Sequence, residues 1–386
     1  MAVKLMYNKS LCFDEEGNFR ILLLGDPHEK PDIVSDNGRA RYLDMLKFYC
    51  TAADTLKPDL VVFMGDLCVV SAEDEDFSEY MSQVERLVRP FTDRCIPFAT
   101  VMGNHDHDSH TEERQIQLLE SMEMCLTRRG SRDIKGVSNY NIPVLGQDGK
   151  PAFNLWFFDS NNLYPEQNVS IYDIVDESQI RWYEETAAAL REKNAGKPLP
   201  AVAFQHIPVI EEYRLLRKAR PHEMWKAVRG NGKFRKNWYV LEDESNGYLA
   251  EGPCSPDINS GQFESWKRTG DIKGAFFGHD HMNNFAGEVD GILLAQCKTS
   301  AFRAYTDGGR PAVRLVTLHE QSGDFDTDVY SFKDFGLKCT CLGPIESRIT
   351  DRQSVNATIA FRAAAAGAVF ATACIGAKKI YRAMKK

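Results

Sequence analysis

The sequence has no surplus of positive charge, no apolar run long enough to cross a bilayer and no repeated unit, and each absence removes a class of function. Its 47 lysines and arginines are outweighed by 55 aspartates and glutamates, a formal net charge of −8 over 386 residues. A nucleic-acid coat needs the opposite balance, because phosphate binding draws on a basic face, so no long nucleic-acid partner is expected. Residues 1–13 carry Lys4 and Lys9 but no apolar stretch of the length a secretory signal requires, and Asp14, Glu15 and Glu16 come immediately after. Ten cysteines are scattered through a chain large enough to build a core without staples, so reduced thiols in a cytoplasmic protein are expected. Cys339-Thr340-Cys341 brings two thiols together, yet no second close Cys or His pair completes a tetrahedral metal set, and the pair reads as ordinary thiols near the end of the globular part.

What is present begins with short, continuously apolar runs. Residues 21–24 (Ile-Leu-Leu-Leu) stop at Gly25-Asp26, and residues 60–64 (Leu-Val-Val-Phe-Met) stop at Gly65-Asp66. Such runs read as strands buried on both faces. Between them residues 40–56 place Tyr42, Leu43, Leu46, Tyr49, Cys50 and Ala53 at helical spacing, closing a βαβ unit. The same grammar predicts a helix over 77–91, a strand over 98–102, a strand over 153–158, a helix over 177–190, a strand over 201–204, a helix over 262–268 and a strand over 274–277. Residues 291–295 and 313–318 read as further strands. The expected fold class is α/β with two mixed sheets: a main domain over 1–342 and a C-terminal extension over 343–386.

That extension differs in kind. Residues 363–377 are uncharged and rich in alanine, and Lys378, Lys379, Arg382, Lys385 and Lys386 lie beyond them. Fifteen such residues fall short of the roughly 20 that span a bilayer. The segment reads as a surface or docking helix, or as a helix that associates the protein with a membrane through residues 359–386.

The chemistry lies just beyond the end of each strand. In an open α/β sheet ligands collect at the carboxyl ends of strands, and here those positions hold Asp26, His28, Asp66, Asn104, His105, His206, His279 and His281. Five of the nine histidines in the chain sit there, which core packing does not explain. Each fragment alone is weak, since Gly-Asp occurs four times; the ordered combination is specific. Mixed imidazole and carboxylate donors suit manganese, iron or zinc better than calcium or magnesium. The set matches two divalent metal ions sharing one carboxylate, with Asp66 as the best bridge. His107, Asp108 and His110 extend the third block into a cluster that suggests either a further metal or, more readily, a polar loop beside the site or support for its ligands. Arg303 and Tyr305, in the loop after Cys297, read either as contacts to a substrate phosphate, because Arg offers a planar donor fork, or as surface residues.

The blocks Asp26-Pro27-His28, Gly65-Asp66, Gly103-Asn104-His105-Asp106, His206 and Gly278-His279-Asp280-His281 resemble, complete and in order, the signature of the calcineurin-like metallophosphoesterase superfamily. The resemblance covers about residues 19–320 and implies a four-layer α/β/β/α sandwich. It implies one metal held by Asp26, His28, Asp66 and His281, and the other by Asp66, Asn104, His206 and His279. It further implies that His105 stabilises the transition state or protonates the leaving oxygen, with Asp106 fixing its tautomer. Glu251-Gly252, the stretch 259–263 and the stretch 278–288 are similar to a branch containing a fungal cell-cycle phosphatase and short, atypical plant purple acid phosphatase-like proteins. Purple enzymes carry D-x-G in the first block and a tyrosine three residues after the second aspartate; His28 and Val69 stand at those positions, so a colourless protein is expected. The implied activity is hydrolysis of phosphate esters by metal-bound hydroxide, as a phosphomonoesterase or phosphoprotein phosphatase. The alternatives are a phosphodiesterase on cyclic nucleotides or nucleic acid, and, from another class, a catalytically silent metal-binding scaffold.

Overall fold

The computed structural model describes residues 10–69, 77–108, 111–344 and 346–348, together with 360, 361, 364, 365, 367–375, 377 and 378 of the tail. Two sheets dominate. One has five strands in the spatial order Asp324–Ser331, Ala312–His319, Asn18–Leu24, Leu60–Phe63, Phe98–Thr100; the other has seven, in the order Leu11–Cys12, Tyr140–Leu145, Pro151–Phe157, Ala201–Gln205, Ile272–Phe277, Ile292–Gln296, Ala286–Val289. Both are mixed: in the first, strands Asn18–Leu24, Leu60–Phe63 and Phe98–Thr100 are parallel and the other two join antiparallel; in the second, only the pairs Tyr140–Leu145 with Pro151–Phe157 and Ala286–Val289 with Ile292–Gln296 are antiparallel.

The continuous apolar runs result from burial on both faces. Because side chains alternate along a strand, Ile21 and Leu23 face the second sheet, where they join Val62, Leu155, Val202 and Phe276. Leu22 and Leu24 face the other way, into a core made with Met45, Phe48, Val84, Leu87 and Ile116 of three helices. On the far side, Ala203, Ala275 and Phe277 pack against Tyr183 of helix Glu177–Lys193 and against Phe263 and Trp266 of helix Gln262–Thr269. Three stacked cores between four layers are the α/β/β/α sandwich. A strand whose two faces both meet apolar layers has no position for a polar residue until it ends, which is why the functional side chains lie just beyond.

The expected helices and strands are present with shifted ends. The first helix runs Asp36–Leu56, beginning four residues before the periodic pattern because Ser35 caps it, accepting from the N–H of Gly38 at 3.1 Å. Helix Glu112–Ser121, strand Tyr140–Leu145 and a small three-stranded sheet (Leu216–Lys218, Val228–Arg229, Trp238–Leu241) are further elements that the sequence pattern does not predict.

The tail expectation requires correction. Among the described residues no helix is long and apolar enough to cross a membrane, which overturns membrane association through residues 359–386. Residues 367–375 are helical and exposed; the uncharged stretch is too short, and alanine too weakly apolar, to make a span. Residues 359, 362, 363, 366, 376 and 379–386 lie outside the described residues.

Candidate metal centre and active site

The carboxyl-terminal edges of the two sheets meet, and the site lies across that seam. Asp26 and His28 come after strand Asn18–Leu24, Asp66 after Leu60–Phe63 and Asn104 after Phe98–Thr100, all from the first sheet. His206 comes after Ala201–Gln205, and His279 and His281 after Ile272–Phe277 of the second. One hydrogen-bond pair stitches the seam: the backbone N–H of His279 donates to Asp26 Oδ1 and Oδ2 at 3.0 and 3.1 Å.

The chain turns sharply to make these ends. Asp26, His28, Asp66 and His279 all adopt positive φ, at 39°, 44°, 51° and 72°, a conformation that non-glycine residues hold only when the surrounding structure enforces it and that gathers at functional sites. Crowding accounts for the glycines of the second and third blocks. A Cβ on Gly103 would fall on the carboxylate and backbone of Asp66, and one on Gly65, itself at φ 94°, would meet His206 Nδ1 and the backbone of Gly103.

Two groups of donor atoms converge: Asp26, His28, Asp66 and His281 in one, Asp66, His206 and His279 in the other, each group within 4.8 Å of one another. Asp66 belongs to both. Its Oδ2 lies 3.3 Å from His28 Nε2 and 3.3 Å from His206 Nε2, so it stands midway, while its Oδ1 accepts from the backbone N–H of His105 at 2.9 Å. Asn104 enters the second group through Oδ1, 3.1 Å from His206 Nε2.

Whether these residues fit a pair of cations is answered by where their nitrogens point. His206 Nδ1 lies 2.7 Å from the carbonyl of Met64 and His281 Nδ1 3.1 Å from that of Tyr305; each carbonyl fixes the Nδ1–H tautomer and turns Nε2 inward. The Nε2 atoms of His28 and His281 face each other at 3.2 Å. The Nε2 of His279 is buried with no hydrogen-bond partner among the described residues. Inward-turned imidazoles, two buried carboxylates and an orphaned nitrogen suit imidazole-binding transition ions such as manganese, iron or zinc. The electrostatics agree. Burial alone would raise the Asp66 carboxyl, but the imidazoles of His206 and His28 hold it well below the usual range. Burial would lower His206, yet Asp66 and Asp26 lift it to about 10; burial and neighbouring imidazoles press His279 down, and burial together with His28 takes His281 to about 3. Protons and a metal therefore compete for the same lone pairs.

Around this cage the structure departs from the expected roles in three places. Asp106 does not reach the imidazole of His105. Its buried carboxylate accepts from the backbone N–H groups of Asp66 at 2.8 Å, Leu67 at 3.1 Å and Gly103 at 2.8 Å, tying the second and third blocks together. The carboxylate that meets His105 is Asp108, whose Oδ2 lies 2.6 Å from His105 Nδ1. Arg303 does not offer its fork to a ligand: it pairs with buried Glu29 through Nε at 3.1 Å and Nη2 at 3.0 Å and donates Nη1 to the carbonyl of Asp32 at 2.9 Å. Tyr305 stacks on His281 with ring centroids 4.2 Å apart and donates its hydroxyl to Glu251 at 2.9 Å, so it steadies a cage residue.

Sequence reasoning named neither Asp108 as the partner of His105 nor the Glu251–Tyr305 support, and it missed the edge of Tyr172 set against His279 at 4.4 Å. The third block's polar extension did carry a signal: Asp108 meets His105, and His107 Nε2 lies 2.9 Å from Asp159. His110 lies outside the described residues.

Two layered mixed sheets, a shared carboxylate and imidazoles at strand ends define a dinuclear metal-dependent hydrolase. The model of the calcineurin-like phosphoesterase family matches residues 19–283, and the chain belongs to that family. Among its relatives, the Arabidopsis thaliana protein named "Probable inactive purple acid phosphatase 14" is 29% identical over 352 residues, 83% of this chain and 81% of that protein. The Saccharomyces cerevisiae "Phosphatase DCR2" is 26% identical over 291 residues, 70% of this chain and 45% of its own length. Among solved structures, a dimetal phosphatase from Danio rerio aligns over 81% of this chain and 99% of its own at 12% identity and a TM-score of 0.45.

Proposed function

We propose that this chain is a phosphomonoesterase acting on phosphorylated protein side chains. The observation that carries the reading is the cage itself, complete in Asp26, His28, Asp66, Asn104, His206, His279 and His281 and open on the side of His105. Two divalent ions held there would supply Lewis acidity for phosphate oxygens and a nucleophile available near neutral pH. The chain's own residues do the rest. Asp66 spans the two ion positions, and the carbonyls of Met64 and Tyr305 keep His206 and His281 in the ligating tautomer. His105, its Nδ1 held by Asp108, keeps Nε2 as the atom that passes a proton to the leaving oxygen.

The choice of monoester rests on the neighbouring space. A cleft of about 220 Å³ lies beside the cage, bordered by His28, His105, Asp108 and Lys30. That is smaller than the roughly 300–1,000 Å³ of sites that enclose whole small molecules; it suits a single side chain presented on a peptide, with the Lys30 ammonium available to an anionic neighbour. The fungal relative's name, a phosphatase, agrees. The plant relative's name contains the word inactive; what favours activity here is that no ligand of the set is replaced. The test compares the metal-replete protein on an aryl phosphate, a bis-aryl phosphate and a phosphoserine peptide. The monoesters should be cleaved with at least tenfold higher kcat/KM; faster cleavage of the diester would move the assignment to a phosphodiesterase.

A further inference from the structure

The two thiols of Cys339 and Cys341 lack, in the sequence, any partner to make a metal set; the fold supplies one from almost 300 positions earlier. Asp44, on helix Asp36–Leu56, is 3% exposed, and its carboxylate, Cys339 Sγ and Cys341 Sγ all lie within 4.8 Å of one another. The sulfurs are 3.6 Å apart. Asp44 grips the same turn, accepting from the N–H groups of Thr340 at 2.6 Å and Cys341 at 2.9 Å and from the Thr340 hydroxyl at 3.0 Å. Those donors are all neutral. No lysine, arginine or histidine pairs with Asp44 among the described residues, so no cationic side chain competes for its carboxylate. Oδ1 accepts one hydrogen bond and keeps a lone pair.

We propose that Cys339, Cys341 and Asp44 form a third cation site, sharing no residue with the active centre, that takes one thiophilic divalent ion of the zinc class. Two sulfurs and one oxygen are the donors such ions select, and three protein ligands leave a fourth tetrahedral position for water. On binding, each thiol that still carries a proton releases it to solvent, and nothing is oxidised or reduced. The ion would pin the segment that carries Phe332 and Phe335 onto the helix whose Phe48 they pack against, at ring distances of 5.4 and 5.8 Å.

Cadmium, titrated into the full-length, chelator-stripped protein, tests this directly, because thiolate-to-cadmium charge transfer absorbs in the ultraviolet and the histidine and carboxylate cage does not contribute to it. The wild type should bind one more equivalent of cadmium than the Cys339→Ser/Cys341→Ser double variant and develop that band as this equivalent binds, and the double variant should lose both. Asp66→Asn should keep the band while losing cage metal, which separates this site from the active centre. Asp44→Asn, with its helix content checked by circular dichroism, should bind at least tenfold more weakly. The proposal is overturned if the double variant keeps the band, if Asp44→Asn binds as tightly as wild type, or if peptide mass spectrometry of the freshly purified protein finds Cys339 and Cys341 joined as a disulfide.

Discussion

On the cage side of the reactive centre, His206 and Asp26 expose none of their side-chain surface and Asp66 1%; on the other side of Asp66, His105 and Asp108 expose 54% and 55%. The two halves answer different demands. Ligands that share a small space with like charges must be immobilised, and the cage does so with backbone: carbonyls on His206 and His281, amides on Asp26 and Asp66. A proton donor must meet a substrate, so it stands at the rim on a short 3-10 turn, Asn104–His107, steadied by one exposed carboxylate.

The largest consequence of that contrast falls on Asp66. Asp66→Asn removes the charge shared by both groups but keeps an oxygen to accept from His105 N–H, so the fold should persist while the cage fails. Metal-ion stabilisation of a transition state is worth several kcal/mol, so kcat/KM on an aryl phosphate should fall by about a thousandfold or more. Elemental analysis should show less than the wild-type metal content. Full metal occupancy and full rate in this variant would remove Asp66 from the bridge.

At the rim the expected losses are smaller and of another type. His105→Ala should lower kcat by about 10²- to 10⁴-fold, the range for losing a general acid, with metal content unchanged. Asp108→Asn should cost about fivefold or less, and less still at high salt, because an exposed ion pair is weak and screened. Asp106→Asn should behave as a packing defect: with one buried acceptor replaced by an amide, about 1–3 kcal/mol of stability should be lost and Tm should drop. If Asp106→Asn shifts the pH profile of kcat and Asp108→Asn does not, the carboxylate partner of His105 in solution is the one the motif implied.

The same division marks what the sequence could disclose. The cage was legible because a strand buried on both faces, such as Leu60–Phe63, admits no polar side chain along its length, so Asp66 announces itself at the end. The two mixed sheets were legible for the same reason, whereas the four layers were implied only by the resemblance that the motif blocks carry. Strand Asp324–Ser331 was not, because it lies at a sheet edge with alternating exposed aspartates and no apolar run. The roles of Arg303 and Asp106 were misread because residue type states what a side chain can bind, not which neighbour reaches it first. Arg303 is engaged by Glu29, 274 positions away, and Asp106 by amides it could not be known to face. Asp44 and Cys341, 297 positions apart, are likewise joined only by the fold.

The finest test of the comparison uses a contact that links the rim to the second sheet. His107, buried at the end of the 3-10 turn, lies 2.9 Å from Asp159, which also accepts from the N–H groups of Val137 at 2.7 Å and Asn161 at 3.0 Å. Burial works against the charged imidazole, but Asp159 raises His107 to about 9, and His107 in turn holds Asp159 below its ordinary value against the effect of burial. Linkage sets the sign. The raised histidine contributes stability that is fully present below about pH 6.5, its value in the unfolded chain, and lost as pH climbs through about 9. The depressed aspartate contributes above about pH 4 and loses its share as pH falls through its folded value. The difference in Tm between wild type and His107→Gln should therefore be widest near pH 6 and should shrink steadily toward pH 9 to 10. A difference that stays constant over that interval would mean that His107 is already neutral there, and that the rim is tied to the second sheet by an uncharged hydrogen bond alone.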